Sequence, residues 1–345
     1  MYSQWQQNQA VSLRCIDKWQ ETPDCVSFRL QHPEKPQSHS FKPGQFISLG
    51  IDLDGKTEYR AYSISSLPSD PFLQLTVKRV EGGKVSNHLV DHLKIGDDLQ
   101  VLRPAGEFNC IDHPPAKRKA LLISAGCGIT PVFSMANYWL SQNQAIDIQF
   151  LHIARNKQLT IYFDQLETMQ AVHSDFSLSL LLKDAQGTRH PQGRLNKEWL
   201  SELVVDLYER TVFLCGPKQF MLDVKQYLSE LNFDMNHFFE ESFTPNESEA
   251  VSQAEEQQSV TLSVPAFGQS FTVNSGEVLA DALENAGLPL IVACRSGICG
   301  SCKCKVTKGS VTSTSQETLT DEEIEQGYVL ACSSTIKGDI EAELN

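Results

Sequence analysis

Short runs of alternating apolar and polar residues occupy the first third of the chain, for example at residues 25–30, 45–51 and 73–80. Alternation with a period of two predicts half-buried strands. Glycine- and proline-containing turns separate the runs, and closely spaced short strands of this kind form small antiparallel barrels. We therefore predict an antiparallel β-barrel over residues 1–114.

The periodicity then changes. Residues 120–124, Ala-Leu-Leu-Ile-Ser, are mostly apolar and predict a buried strand, and a glycine-rich turn follows and opens a helical pattern. Further predicted strands, separated by helical stretches, lie at residues 146–153, 177–182 and 211–215. Alternating strands and helices predict an α/β doubly wound domain, here over residues 115–243.

Residues 244–258 are polar and acidic and contain almost no apolar side chain. This composition predicts a flexible linker. Beyond it, two alternating runs predict a hairpin, apolar positions at helical spacing predict a short helix over 278–286, and a further strand begins at Lys303. We predict that residues 259–345 form a separate α+β domain.

The last domain contains the most specific motif in the chain. Cys294, Cys299 and Cys302 follow the spacing C-x4-C-x2-C, and Cys332 is a distant fourth thiol. This spacing is typical of plant-type [2Fe–2S] clusters. A structural zinc site is the alternative, but zinc sites usually pair two short hooks rather than one hook and a lone cysteine. We interpret Cys304 as a bystander. The strand pair, the helix, the cysteine loop and the returning strand together resemble the β-grasp ferredoxin.

Composition and charge restrict the classes of partner. The chain has 345 residues, ten cysteines and a formal net charge of −14, which argues against nucleic acid and anionic membranes as partners. The N-terminus lacks the features of a signal peptide, and no apolar run is long enough to span a bilayer. Ten cysteines without an export signal predict reduced thiols and a cytoplasmic location.

Two glycine-containing segments follow predicted strands of the α/β domain. The first opens a helix, and its strand–turn–helix context predicts an anion site for a dinucleotide pyrophosphate. Its candidate residues are Gly126, Gly128, Thr130 and Pro131. The second is Cys215-Gly216-Pro217, at the end of a strand, where ligands bind in such sheets.

Three segments of the barrel carry a resemblance to a known family. Arg60-Ala-Tyr-Ser63, residues 75–79 and residues 82–86 resemble the flavin-binding signature of the ferredoxin–NAD(P) reductase superfamily. The resemblance implies FAD, with Arg60 on the pyrophosphate, Tyr62 against the isoalloxazine ring and Ser63 near N5. The implied cofactor-binding residues are Arg60, Ala61, Tyr62, Ser63, Val77, Lys78, Gly83, Lys84, Val85 and Ser86.

The same resemblance implies a reaction site. It places Cys215 beside the nicotinamide, matches Glu241 and Phe243 to the end of the family's NAD domain, and gives Phe243 the role of covering the flavin. Glu241 would complete a polar rim with Ser63 and Cys215, and these three are the candidate catalytic residues. Glu240 competes with Glu241 for that role.

The predicted modules imply a path for electrons from NADH to FAD, to the cluster and then to a protein acceptor. Arg155 and Lys157 alone do not decide between NADH and NADPH, and the resemblance favours NADH.

Over nearly its whole length the chain resembles the reductases that serve the hybrid-cluster (prismane) protein, which implies a role in nitric oxide or hydroxylamine detoxification. The alternatives are the reductase component of a multicomponent oxygenase or desaturase, and a redox-sensing or carrier module without turnover.

Overall fold

The structure is a computed structural model that describes residues 9–35, 40–53, 55–142, 144–243 and 258–344. The chain divides into two compact units, one of Met1–Ile51 with Tyr62–Phe243 and the other of Asp52–Ala61 with Thr244–Asn345. Of the predicted linker, only Gln258 belongs to the described residues, and the rest lies outside them. No helix in the described ranges is long and apolar enough to cross a membrane.

Six strands form the first sheet, in the spatial order β4-β3-β6-β1-β2-β5. They are β1 (Val11–Thr22), β2 (Cys25–Gln31), β3 (Phe46–Leu53), β4 (Lys56–Ser63), β5 (Leu73–Lys78) and β6 (Asp98–Val101). Just after β4, Ile64 pairs with Leu75 of β5, so the two edges of the sheet meet. The predicted barrel is confirmed. Helix α1 (Lys84–Asp91) follows β5.

Alternation explains why these residues form a barrel. In β2 and β5 the side chains of Phe28, Leu30, Leu73 and Leu75 are fully buried. The polar residues between them, such as Gln74, are less buried. Successive side chains of a strand point to opposite faces, so one face of the sheet becomes an apolar interior.

Five parallel strands form the second sheet, in the order β11-β10-β7-β8-β9. The strands are β7 (Lys119–Ala125), β8 (Asp147–Ala154), β9 (Phe176–Leu182), β10 (Thr211–Cys215) and β11 (Phe238–Glu241). The connecting helices are α2 (Ile129–Ser141), α3 (Phe163–Val172), α4 (Lys197–Leu203) and α5 (Lys218–Glu230). The predicted doubly wound sheet is confirmed, and its strand order reverses between β7 and β10.

Arg210 links residues at the amino-terminal ends of the parallel strands. Its guanidinium is almost fully buried and binds Asp206 at 2.6 Å, Asp147 at 3.1 Å and the carbonyl oxygen of Ala120 at 3.1 Å. Lys119 binds the other carboxylate oxygen of Asp206 at 2.9 Å. Burial alone would raise the pKa of Asp206, but the bonds from Arg210 and Lys119 outweigh it and hold this pKa below its usual range.

We expect Asp206→Asn to lower the free energy of unfolding by about 1–2 kcal/mol at pH 7, because it removes charge-assisted bonds to two cations. A carboxyl whose pKa is depressed by folding stabilises the protein above its unfolded pKa of about 3.9, and this contribution disappears as pH falls through the folded pKa. The difference between wild type and variant should therefore shrink below about pH 4. Urea unfolding of wild type and variant at pH 7 and below about pH 4 measures this difference in the free energy of unfolding.

Glu209→Gln is the matched control, because Glu209 bonds the same Lys119 from a more exposed position. Exposed ion pairs contribute about 0–1 kcal/mol, so this variant should change stability less than Asp206→Asn. Equal effects of the two variants would contradict the assignment of Asp206 as the central anion.

The second unit contains a mixed five-stranded sheet in the order β13-β12-β18-β14-β16 and a two-stranded sheet of β15 and β17. The strands are β12 (Ser259–Val264), β13 (Gln269–Asn274), β14 (Lys303–Lys308), β15 (Val311–Ser313), β16 (Tyr328–Leu330), β17 (Ser334–Ile336) and β18 (Ile340–Leu344). Helix α6 (Leu279–Asn285) packs on the larger sheet, and α7 (Asp321–Glu325) precedes β16. This is the expected α+β fold of a β-grasp ferredoxin.

Candidate functional site

The point at which the order of the parallel strands reverses lies between β7 and β10. Ligands of doubly wound sheets bind beyond the carboxyl ends of the strands at such a point. The glycine-rich turn 126–128 follows β7, and Gly216 follows β10. A Cβ atom on Gly128 would lie 2.1 Å from the carbonyl oxygen of Cys215. The two predicted segments therefore pack directly against each other, which only a glycine at position 128 allows.

Cys215 lies fully buried at the centre of this region. It is paired in register with Ser124 of β7 on one side and with Glu241 of β11 on the other. Burial raises the pKa of the Cys215 thiol well above its ordinary value, and the carboxylate of Glu241 raises it further. The thiol is thus neutral near pH 7. A neutral thiol can pack against a nicotinamide, whereas a nucleophile would need to be a thiolate.

The structure separates the two competing glutamates. Glu241 is 7% exposed, and its Oε1 lies near Gly106, where a Cβ atom would be 3.7 Å away. Glu240 is exposed and forms an ion pair of 2.6 Å with Lys225. Only Glu241 therefore occupies the buried position beside Cys215 that the polar rim requires. Phe243 is 46% exposed, so its predicted contact with a flavin remains a prediction.

Ser63 provides a test of whether the barrel fits a flavin. Its hydroxyl is buried, and no residue in the described ranges lies within hydrogen-bond distance of its Oγ. Buried hydroxyls normally have a partner, so this group fits a polar ligand atom such as flavin N5. The segment after Ser63 also packs on α2, because Ser134 donates a hydrogen bond of 3.1 Å to the carbonyl oxygen of Ser66.

The other predicted flavin residues are positioned by β4, β5 and α1. Gly83 precedes the first residue of α1, and no side chain caps this helix N-terminus, which leaves backbone N–H groups for a phosphate. Lys84 is exposed, whereas Val77, Val85 and Ser86 are buried. Lys78 forms an ion pair of 3.2 Å with Asp24.

Arg60 and Ala61 belong to the second compact unit, whereas Tyr62 and Ser63 belong to the first. The Arg60 guanidinium donates to the carbonyl oxygen of Tyr59 at 2.6 Å and lies 3.4 Å from Glu58. Its role on a flavin pyrophosphate stays a prediction.

The remaining nucleotide residues lie at the start of α2 and α5. Thr130 is buried and donates a hydrogen bond of 3.0 Å to the carbonyl oxygen of Cys127, which closes the glycine-rich turn. Pro131 lies in the first turn of α2, and Pro217 immediately precedes α5. At both positions a backbone N–H would have no acceptor within the helix, so proline, which lacks this group, is tolerated there.

Sequence reasoning missed a buried network centred on Tyr162. This residue has a left-handed backbone (φ 61°) and is fully buried, and its hydroxyl lies 2.5 Å from Thr76 of β5. Glu21 of β1 accepts hydrogen bonds from the Tyr162 backbone N–H at 3.1 Å and from Ser27 at 2.9 Å. The network joins the barrel to the parallel sheet. No local pattern could reveal it, because its members are far apart in the chain.

We expect Tyr162→Phe to lower the free energy of unfolding by about 1–2 kcal/mol, because it removes a buried hydrogen bond. Thr76 keeps its bond of 2.7 Å to Ser27, which limits the loss. Urea unfolding measures the effect. Tyr208→Phe removes an exposed hydroxyl that donates to Leu231, so it should change stability less. Equal losses of stability in the two variants would contradict a stabilising contribution from the buried Tyr162 hydrogen bond.

A cavity of about 450 Å³ also escaped the sequence analysis. It lies beyond the carboxyl ends of β8 and β9, the side of the sheet on which ligands bind. It is lined by Glu21, Lys157, Gln158, Thr160, Phe163, Asp164, Gln165, Gln186 and Gly187. A 2′-phosphate needs clustered cations, but these lining residues include one cation and two carboxylates.

The four predicted ligand cysteines converge in the second unit. The Cys294 thiol is within hydrogen-bonding reach of the thiols of Cys299 and Cys332. The Cys302 thiol is within reach of the Cys332 thiol. Among the described residues, no three potential ligands are placed to bind one metal ion together, and the four thiols approach one another in three pairs. This arrangement fits a two-iron cluster, which needs four thiolates around two metals.

The backbone around these thiols also fits a cluster. The N–H groups of Ser296 and Ile298 point to the Cys294 sulfur at 3.4 and 3.5 Å, and the N–H of Cys332 points to the Cys302 sulfur at 3.4 Å. Such hydrogen bonds stabilise thiolates and set cluster potentials. Cys304 lies in β14 and is fully buried in the apolar core, away from this group of contacts.

Arg295 holds the cysteine loop from outside. It has a left-handed backbone (φ 55°), which is unfavourable for a residue other than glycine. Its guanidinium bonds to Asp281 at 2.7 Å and to Glu284, both in α6. These ion pairs fix the loop to the helix and stabilise the strained residue between Cys294 and Ser296.

The fold and the site define a modular reductase that uses a flavin and an iron–sulfur cluster. Three family models match the chain: an oxidoreductase FAD-binding domain at residues 12–110, an oxidoreductase NAD-binding domain at 122–226, and a 2Fe–2S iron–sulfur cluster binding domain at 264–337. The chain belongs to the ferredoxin–NAD(P) reductase superfamily, in the group that carries a C-terminal ferredoxin domain. It is an NADH-dependent oxidoreductase with FAD and [2Fe–2S] as cofactors.

Similar proteins cover almost the whole chain. The glycine betaine monooxygenase reductase subunit of Pseudomonas aeruginosa is 37% identical, over 95% of this chain and 93% of the relative. The NADH oxidoreductase HCR of Escherichia coli is 36% identical, over 93% and 94%. The solved structure of phthalate dioxygenase reductase has a TM-score of 0.66 at 23% identity, over 97% and 98%, and confirms the three-domain fold.

Proposed function

We propose that this chain is the reductase component of a multicomponent oxygenase, to which it delivers electrons from NADH one at a time. The observation that carries the proposal is its similarity to an oxygenase reductase subunit, at 37% identity over 95% of the chain. This ranks the oxygenase alternative above the hybrid-cluster protein that the sequence resemblance favoured. A cytoplasmic location accompanies the proposal, since NADH is available there and ligand thiols stay reduced.

The residues of the chain supply position and environment. When bound, FAD and the cluster would supply the conversion of a hydride into two single electrons. Gly128 allows the glycine-rich turn to pack on the end of β10, where the nucleotide would bind, and the neutral thiol of Cys215 lies at the same place. Ser63 would offer its hydroxyl to the flavin edge, and the buried Glu241 keeps the site polar beside Cys215.

The hybrid-cluster protein is the second candidate acceptor. Its support is the 36% identity of this chain to NADH oxidoreductase HCR of Escherichia coli, over 93% of the chain. The two candidates require the same cofactors and the same NADH site, and they differ only in the protein that docks to receive the electrons. A redox-sensing or carrier module without turnover lacks comparable support, because the residues of a nicotinamide site are present.

An anaerobic electron-delivery experiment tests the proposal. The NADH-reduced protein is mixed in turn with a purified glycine betaine monooxygenase component and a purified hybrid-cluster protein, and reoxidation of the cluster is followed by its absorbance. We expect catalytic delivery to the oxygenase and product formation from glycine betaine. Delivery to the hybrid-cluster protein alone would overturn the proposal in favour of the second candidate.

A further inference from the structure

A segment between β15 and α7 covers the cysteine loop. Ser315 lies over Gly297, where a Cβ atom would be 2.6 Å from the Ser315 Cβ, and its hydroxyl donates to the carbonyl oxygen of Gly297 at 2.8 Å. Ser333 donates in turn to the carbonyl oxygen of Ser315 at 3.1 Å. The segment then ends in the capping box of α7, formed by Thr320 and Glu323. The cover is therefore fixed at both ends.

Thr318 occupies the equivalent position over the second glycine of the loop. A Cβ atom on Gly300 would lie 3.0 Å from Thr318 Oγ1 and 3.4 Å from Thr318 Cβ. Both covered glycines have a positive φ, 74° at Gly297 and 73° at Gly300. Ser315 and Thr318 thus place one hydroxyl each on the two turns that carry the ligand cysteines.

The two hydroxyls differ in their partners. Ser315 bonds to the loop backbone, whereas Thr318 Oγ1 is buried and has no hydrogen-bond partner among the residues that the structure describes. A buried hydroxyl without a partner is costly, and protein interiors rarely keep one. Gly300 lies between the predicted ligands Cys299 and Cys302, so this hydroxyl lies against the turn that carries both of them.

We propose that Thr318 donates its hydroxyl proton to a sulfur atom of the [2Fe–2S] cluster and thereby raises the reduction potential of the cluster. Hydrogen bonds to cluster sulfurs stabilise the reduced form, which carries the additional negative charge. The role is independent of the acceptor protein, because it concerns the electron held on the cluster and not the docking surface.

The test compares three variants at this position by redox titration of the full-length protein, with the reduced cluster followed by electron paramagnetic resonance. Thr318→Val keeps the shape of the side chain and removes the hydroxyl, so we expect a shift of the midpoint potential to a more negative value. Thr318→Ser keeps the hydroxyl and should restore a potential close to that of the wild type. Thr318→Ala removes the hydroxyl without β-branching and serves if the valine variant does not assemble its cluster.

Thr312→Val is the matched control, because Thr312 lies exposed in β15 of the same domain. It should leave the midpoint potential unchanged, and ferricyanide reduction by NADH should remain normal in all four variants. An unchanged potential in both Thr318→Val and Thr318→Ala would overturn the proposal, since the hydroxyl would then bond to water or nothing. A shift in Thr318→Ser as large as in Thr318→Val would also overturn it.

Discussion

Replacing Cys332 by serine is expected to abolish the [2Fe–2S] signal in electron paramagnetic resonance while FAD and NADH oxidation by ferricyanide survive. Cys332 is the only one of the four thiols that is supplied from outside the loop, and it contacts both Cys294 and Cys302. Without it, the three loop thiols cannot complete the shells of two irons. Mutation of residues that hydrogen-bond to metal ligands already lowers metal affinity by about 10–100-fold. Loss of a ligand itself should therefore reduce cluster-dependent electron delivery to a one-electron protein acceptor by at least ~100-fold.

The matched control for this prediction is Cys304→Ala. Cys304 is a neighbouring thiol in the same domain, but it points into the apolar core of the sheet from β14. Its loss should leave the cluster signal intact and cost about 1 kcal/mol of stability through the small cavity. A normal cluster in Cys332→Ser together with its loss in Cys304→Ala would reverse the roles of the two cysteines.

Most of the fold could be predicted because its elements have strong local signals. The alternation in residues 25–30 and 73–80 specifies half-buried strands, and the structure has β2 and β5 there. The mostly apolar segment 120–124 specifies a strand buried on both faces, and it forms most of β7. The cysteine spacing predicts the ligands for a similar reason, because a tight loop around a cluster permits few separations between thiols.

The parts that could not be predicted depend on contacts between distant positions. Glu240 and Glu241 are chemically identical in the sequence, and only the register of β11 against β10 places Glu241 beside Cys215. The same holds for Tyr162, because its hydroxyl meets Thr76 of the barrel, which lies 86 positions earlier in the chain. The hydroxyl of Thr318 became distinctive only when its buried position over Gly300 was known.

The geometry at the end of the parallel sheet leads to the second large prediction. A Cβ atom on Gly128 would meet three backbone atoms of the opposite segment: the carbonyl oxygen of Cys215 at 2.1 Å, its carbon at 2.4 Å and the nitrogen of Gly216 at 2.6 Å. Backbone atoms at these distances cannot move aside without shifting β10 or the glycine-rich turn. Gly128→Ala should therefore displace the turn from Cys215 and misplace the nicotinamide.

We expect Gly128→Ala to lower kcat/KM for NADH by about 100-fold, because a displacement of about 1 Å at a reacting centre can cost that much. The content of FAD and of cluster should stay unchanged, since this turn belongs to neither site. Steady-state reduction of ferricyanide measures the effect without involving the acceptor protein.

Two further glycine substitutions separate this steric effect from a general intolerance of alanine. In Gly216→Ala the added Cβ would meet the side chain of Phe220 at 2.7 Å, and a side chain can rotate where a backbone cannot. Its effect on kcat/KM should be smaller. Gly338→Ala meets no atom within 4 Å and should change nothing. Equal losses in Gly128→Ala and Gly216→Ala would mean that close approach of the nucleotide, rather than packing of the turn on Cys215, determines the need for glycine at both positions.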